Sequence, residues 1–240
     1  MPTYRPFGPH SILIEWPARI DPKLLDIILN TKSKIEKYYI KVNVDIINTY
    51  NTITVFYNID IDNIYEEISV LKDLIDSEDL VQREPATLWK IPVCYDDQFA
   101  LDLEAISRGK ELTKNEIISL HTAPKYCIYF IGFLPGFLYL GGLSESLFYP
   151  RKSSPRISIP SGAVGIGGQQ TGIYPQQSAG GWNIIGNSPI SFFDRKSDPP
   201  CYMKPGDQVQ FKSISYQEHQ EISNLVAYKR YQIESEVLDA

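Results

Sequence analysis

Seven side chains of this 240-residue chain are of types that could do chemistry together: His121, Arg151, Arg156, Gln169, Thr171, Tyr174 and Trp182. The last six fall in one stretch, Tyr129 to Asn187, which also holds twelve of the fifteen glycines. Glycine at that density supplies positive-φ turns and lets a ligand or a second backbone come close. The two arginines flank a Pro-rich turn. A guanidinium presents a planar fork that matches a carboxylate or phosphate. Either arginine could equally tie down a loop carbonyl or pair with an acid. Gln169, Gln170 and Thr171 can donate and accept toward an amide, or satisfy one another in a turn. Tyr174 and Trp182 can wall a small-molecule pocket, although aromatics in a barrel are more often core. Phe133, Phe137 and Tyr139 read as core. His121 has a side chain whose pKa lies near neutral and suits a general base. At the last turn of a helix it is also favoured by the helix dipole.

The chemistry that is missing is as informative. Between Tyr129 and Pro189 the only charged residues are Glu145, Arg151, Lys152 and Arg156. No G-x-x-x-x-G-K-[ST] run, G-x-G-x-x-G fingerprint or G-x-S-x-G elbow occurs. His10, His121 and His219, with Cys94, Cys127 and Cys201, show no zinc spacing, so no metal site is expected. The glycine-rich run Gly162–Gly168 could cradle an anion on backbone N–H groups or simply form tight barrel turns.

The elements that must position these residues read as two domains. Ser11–Trp16 forms a strand. Asp21-Pro22 opens a helix with an N-cap and a proline at its first position. Tyr39–Ile47 and Thr52–Tyr57 form a hairpin, and Asn63 caps a second helix. Thr87–Tyr95 is a further strand. The order β-α-β-β-α-β predicts a ferredoxin-like α+β domain over residues 1–88. Residues 89–240 then form a β-barrel domain, because short strands cut by Gly and Pro suggest closure. In it, Leu101–Arg108 is a helix capped by Gly109, and Thr113-Lys-Asn-Glu116 is a capping box. Ile157 and Ile159 alternate as one buried strand face, Gln208–Ser213 is a closing strand, and Tyr216–Val237 is a mostly helical tail.

Composition bounds the partners. There are 23 basic and 29 acidic residues, for a net charge of −6. No basic run is interleaved with aromatics, so nucleic acid is not expected. No apolar run reaches the roughly 20 residues of a membrane span, so no membrane association is expected. The opening residues carry no leader pattern, which predicts a cytoplasmic protein. Three scattered cysteines fit a reducing compartment.

The runs GFLPGFLYLGGL, IPSGAVGIGGQQTGIYP and GGWNIIG, the arginines Arg151 and Arg156, the opening FGPHSILIEW, the segment FALDLEAISRGKELTKNEIISLHTAPKYCIYF and the closing MKPGDQVQFKSI resemble the allophanate hydrolase subunit 1 family. That family includes 5-oxoprolinase subunits of the PxpB type and KipI-type kinase inhibitors. The resemblance covers the chain to about Ile214. It implies an N-terminal α+β domain and a cyclophilin-like β-barrel. It also implies a subunit, inactive alone, of an ATP-dependent complex that cleaves 5-oxo-L-proline to L-glutamate. The implied partners are a PxpA-like protein related to LamB/YcsF and a PxpC-like protein of the carboxyltransferase, allophanate hydrolase subunit 2, type. The implied cofactor balance is none bound by this chain alone, with ATP and magnesium used by the complex. Such an amide hydrolase needs a base, an electrophile and a phosphate site, and this chain offers about half of one. The resemblance leaves two alternatives open: inhibition of a sensor histidine kinase, and a carboxyltransferase component of a urea-carboxylase or allophanate-hydrolase system. Two positions depart from the pattern. Ala179 stands where proline is usual, and Asn187 where arginine is common.

Overall fold

The computed structural model describes residues 1–41, 44–77 and 84–238. The chain divides into two compact units, Met1–Glu84 and Pro85–Ala240. The first contains strands β1 (Thr3–Pro6) and β2 (Ser11–Glu15), helix α1 (Pro22–Tyr38), strands β3 (Val44–Asn48) and β4 (Thr52–Tyr57), and helix α2 (Ile64–Asp76). Local signals account for both helix starts. The Asp21 carboxylate accepts the Lys23 N–H at 2.9 Å with Pro22 behind it. Asn63 Oδ1 accepts the N–H groups of Tyr65 and Glu66 at 3.2 and 3.3 Å. Leu24, Ile28 and Ile35 of α1 and Ile68 and Leu71 of α2 pack with Ile12, Ile14, Ile53 and Val55 of the sheet.

The sheet order is β1-β2-β4-β3, antiparallel throughout. This corrects the expected β-α-β-β-α-β order. Thr87–Cys94 does not complete the first sheet; the edge beside β2 is taken by Thr3–Pro6. Pro6 cannot donate to a ladder and suits that edge. Thr87–Cys94 is buried over most of its C-terminal half, and such a strand belongs between covered faces.

That strand is β5 of the second unit. It is followed by helices α3 (Leu103–Lys110) and α4 (Lys114–Thr122), strands β6 (Tyr126–Ile131) and β7 (Leu138–Gly141), a short turn of 3-10 helix at Glu145–Leu147, β8 (Arg156–Ile159), β9 (Ala163–Gly167), β10 (Gln170–Ile173), β11 (Ser178–Gly180), β12 (Asn183–Asn187), β13 (Gln208–Ile214), α5 (Tyr216–Ala227) and β14 (Glu234–Val237). Strands β12-β9-β10-β7-β6-β13-β5 run side by side, and Asn187 of β12 pairs with Cys94 of β5. Seven strands therefore close into a barrel. Its one parallel pair is β13 with β5, in register from Gln208 opposite Leu88 to Ile214 opposite Cys94. Ile91, Val93, Leu138, Leu140, Val164, Ile166, Ile173, Ile185 and Phe211 form part of its core. No helix among the described residues is long and apolar enough to cross a membrane.

Three further expectations are corrected. Ile157 is 93% exposed while Ile159 is fully buried. Their strand, β8, lies outside the barrel and pairs only with β11 in a ribbon interrupted between Ser178 and Gly180. The α3 helix runs through Gly109, and its cap is Glu111 at φ 55. The tail is helical only to Ala227; Glu234–Val237 then adds antiparallel to β5. Barrel closure leaves the Thr87–Lys90 side of β5 without a partner strand, and backbone hydrogen bonds to the tail satisfy it.

Candidate functional site

Two groups of side chains emerge from the seven candidates. The first surrounds the loop that carries Arg151. Asp102, at the start of α3 and 3% exposed, accepts from Arg156 Nη1 and Nη2 at 2.6 and 2.8 Å. It also accepts from Lys152 Nζ at 2.8 Å and from the Ile184 N–H at 2.7 Å. Burial works to raise its pKa, but these bonds outweigh it and hold the carboxyl below its ordinary value. The Arg156 fork is thus filled by an acid of its own chain. The same loop is fastened by Lys152 N–H to Gly181 O at 2.7 Å and by Asn183 Nδ2 to Pro150 O at 2.8 Å.

Arg151 lies between these anchors, and its guanidinium sits 5.6 Å from the Trp182 ring centre. Around it the aromatics form a shelf. Phe130 stacks on Tyr139 at 4.1 Å, and Phe137 meets Tyr139, Tyr174 and Trp182 at 4.8–5.5 Å. Glycines make this possible. A Cβ on Gly167 would lie 2.6 Å from Trp182 Nε1, and one on Gly180 would lie 2.4 Å from the Tyr174 hydroxyl. Burial raises the Tyr139 and Tyr174 pKa values, and the Arg151 charge acts on both in the opposite sense. Arg151, Tyr139, Tyr174 and Trp182 therefore share one neighbourhood. Tyr174 and Trp182 are 1% and 4% exposed and belong to a buried cluster with Phe137, so what faces outward is the exposed Arg151 cation beside half-buried Tyr139, a pairing that suits a small carboxylate.

The second group is enclosed in the barrel. His121 is 0% exposed and stacks on Phe211 at 4.5 Å. The Thr171 hydroxyl donates to Gly165 O at 3.0 Å, so its oxygen is the acceptor for His121 Nε2–H at 2.9 Å. Nδ1 then accepts the Tyr95 hydroxyl at 2.7 Å. Burial lowers the His121 pKa to about 3, so the ring is neutral with both nitrogens engaged. The expected general base is therefore a neutral, closed link between α4 and β10, and Thr171 is buried with it rather than facing a ligand.

This arrangement predicts acid sensitivity. The unfolded chain takes up a proton at His121 near its ordinary pKa, whereas the folded chain does so only near 3. The stabilisation is complete above the ordinary value and is lost as pH falls below it. Between about pH 7.5 and 5 the loss should be about 2 kcal/mol. Denaturant titrations across that range should show a shallower pH slope in His121→Gln, by close to one proton. Equal slopes would contradict the neutral buried ring.

Of the seven, Gln169 joins neither group. Gln169 is exposed in the β9–β10 connection beside Gly168, whose N–H donates to Tyr149 O at 2.7 Å. That backbone donor is not open to an anion. Gln170 alternates with Thr171, and its Oε1 is enclosed without a donor. Asp102 is not among the seven candidates; its signal in the sequence is the excess of three cations over one acid in the glycine-rich stretch, which a carboxylate from outside it balances. Among the described residues no group of three or more His, Cys, Asp or Glu could hold a metal ion.

The family described as "Carboxyltransferase domain, subdomain C and D" matches residues 2–203. The chain belongs to this family. The motifs that resembled allophanate hydrolase subunit 1 pointed the same way. A protein of Bacillus subtilis (strain 168), named as the B-type subunit of 5-oxoprolinase, is 36% identical over 230 residues, which is 90% of this chain and 96% of that one. The solved structure of TTHA0988 matches with a TM-score of 0.73 at 28% identity, over 85% of this chain; the match spans 40% of that protein's length. The Kluyveromyces lactis urea amidolyase matches 98% of this chain and 16% of its own, with a TM-score of 0.82 at 19% identity, a likeness of fold.

Proposed function

We propose that this chain is the B-type subunit of a 5-oxoprolinase, a complex that opens 5-oxo-L-proline to L-glutamate at the expense of ATP, and that it is inactive alone. The observation that carries this reading is the near full-length likeness to the Bacillus subtilis protein of that name. The geometry supports a partial site. Arg156 is bound by Asp102 and His121 is enclosed, so Arg151 is the cation assigned to the substrate carboxylate, with half-buried Tyr139 beside it. Proton transfer and ATP with magnesium fall, in this reading, to PxpA-like (LamB/YcsF) and PxpC-like (allophanate hydrolase subunit 2) partners. We also take the barrel as cyclophilin-like, and the first unit as a ferredoxin-like variant whose edge strand comes from the N-terminus.

The test is reconstitution: this chain with both partners, ATP and magnesium should produce glutamate from 5-oxoproline, and omission of any one protein should abolish production. A second reading, a carboxyltransferase component served by a biotin-bearing protein, draws on the family description. Turnover that avidin blocks would favour it.

A further inference from the structure

A cavity of about 720 Å³ lies away from all seven candidate residues. One wall is Trp89 of β5, another is the loop from Ile190 to Tyr202, and the third is the tail from Val226 to Ile233. The tail wall lies beyond residue 203, where the family match ends. The volume is within the roughly 300–1,000 Å³ of small-molecule sites.

Its walls are preformed. The loop is braced by Asp194 N–H to Pro200 O at 2.9 Å, by Lys196 N–H to Asp194 Oδ1 at 2.9 Å, and by the Tyr202 hydroxyl to Ser191 O at 3.1 Å. Lys229 of the tail meets Asp194 Oδ2 at 3.4 Å. Trp89 Nε1 is committed to Asp207 Oδ2 at 2.9 Å, and Tyr202 packs edge-on against the Trp89 ring at 5.2 Å. The polar ends of Trp89 and Tyr202 are therefore satisfied, and together with Phe193 and Tyr231 they offer ring surface to the cavity.

The charged lining residues are Asp194 and Lys229, and cations outnumber acids in the chain next to them. Arg195 and Lys196 follow the lining residue Asp194, and Arg230 follows the lining residue Lys229; all four cations are exposed. Against them stand Asp194 and Asp198, while Glu234 is already paired with Lys90. The segments 194–198 and 229–230 thus carry four cations against two acids, in a chain of net charge −6. A loose 3.4 Å contact between exposed groups yields readily to a competing anion.

We propose that this cavity binds a small organic anion with a flat apolar body, the body against Trp89, Phe193, Tyr202 and Tyr231 and the anionic head at Lys229. The site is independent of the proposed oxoprolinase role. The probe is 8-anilino-1-naphthalenesulfonate, titrated onto the full chain by fluorescence, with neutral N-phenyl-1-naphthylamine as its uncharged counterpart. Saturable binding of one sulfonate probe per chain is expected, about tenfold tighter than the neutral probe. Ala227→Trp, which fills the cavity from an exposed position, should weaken both probes. Lys229→Glu should weaken the sulfonate by about tenfold and leave the neutral probe unchanged. If Ala227→Trp does not fold, the Lys229→Glu comparison decides alone. The proposal is overturned by non-saturable binding, by binding indifferent to Ala227→Trp, or by equal affinity of both probes with no effect of Lys229→Glu.

Discussion

Asp102→Ala will lower the unfolding free energy of the second unit by about 2–4 kcal/mol. Removing one partner of a buried pair typically costs about 3–5 kcal/mol, because a charge is left uncompensated. Here the orphaned side chains of Lys152 and Arg156 are 29% and 27% exposed, so water recovers part of that loss. The substitution also releases the Ile184 N–H and the bidentate Arg156 fork, so Asp102→Asn, which keeps one acceptor, should cost less than alanine. Denaturant unfolding followed by tryptophan fluorescence in a Trp16→Phe background reads the second unit through Trp89 and Trp182. A midpoint unchanged from wild type would mean that the Asp102 cluster contributes nothing to holding the Arg151 loop.

Arg151→Gln will lower kcat/KM of the assembled complex for 5-oxoproline by about one to two decades without lowering the melting temperature of the isolated chain. A charge-assisted hydrogen bond is worth about 1.5–3 kcal/mol, which is that range in rate if the contact persists into the transition state. Arg151→Lys should recover only part of the loss, since an ammonium lacks the planar fork. Arg156→Ala should behave differently and lose stability together with activity, because its fork holds Asp102 rather than substrate. If Arg151→Gln keeps wild-type turnover, the aromatic shelf is structural and the carboxylate is bound elsewhere in the complex.

Local features were legible from the sequence. Asp21, Asn63 and Thr113 cap the helices that their spacing announces, because a cap involves residues only two or three apart. Strands cut by glycine and proline announced a barrel, and seven strands close one. Pairing across long separations was not legible. Nothing in Thr87–Cys94 says which sheet it joins, and neither Thr3–Pro6 nor Glu234–Val237 carries enough apolar alternation to declare itself a strand. Ile157 alternates with Ile159 yet is exposed, since a two-stranded ribbon with a break in register imposes no common inward face. At the candidate site, residue type alone suggested roles for Arg156 and His121 that their surroundings do not allow. Arg156 and His121 look reactive by type. One is neutralised by a carboxylate 54 positions away, and the other is closed in by Tyr95 and Thr171. Burial and long-range partners decide such roles, and neither is written in local spacing.

The central claim is that this chain supplies part of an oxoprolinase site and cannot act by itself. The most direct measurement is glutamate formation from 5-oxoproline with ATP and magnesium, by the purified chain alone and then with PxpA-like and PxpC-like proteins added. The expected result is no turnover by the chain alone, and turnover in the mixture that falls by about one to two decades when Arg151→Gln replaces the wild-type chain. Turnover by the chain alone, or a complete mixture that forms no glutamate, would contradict it.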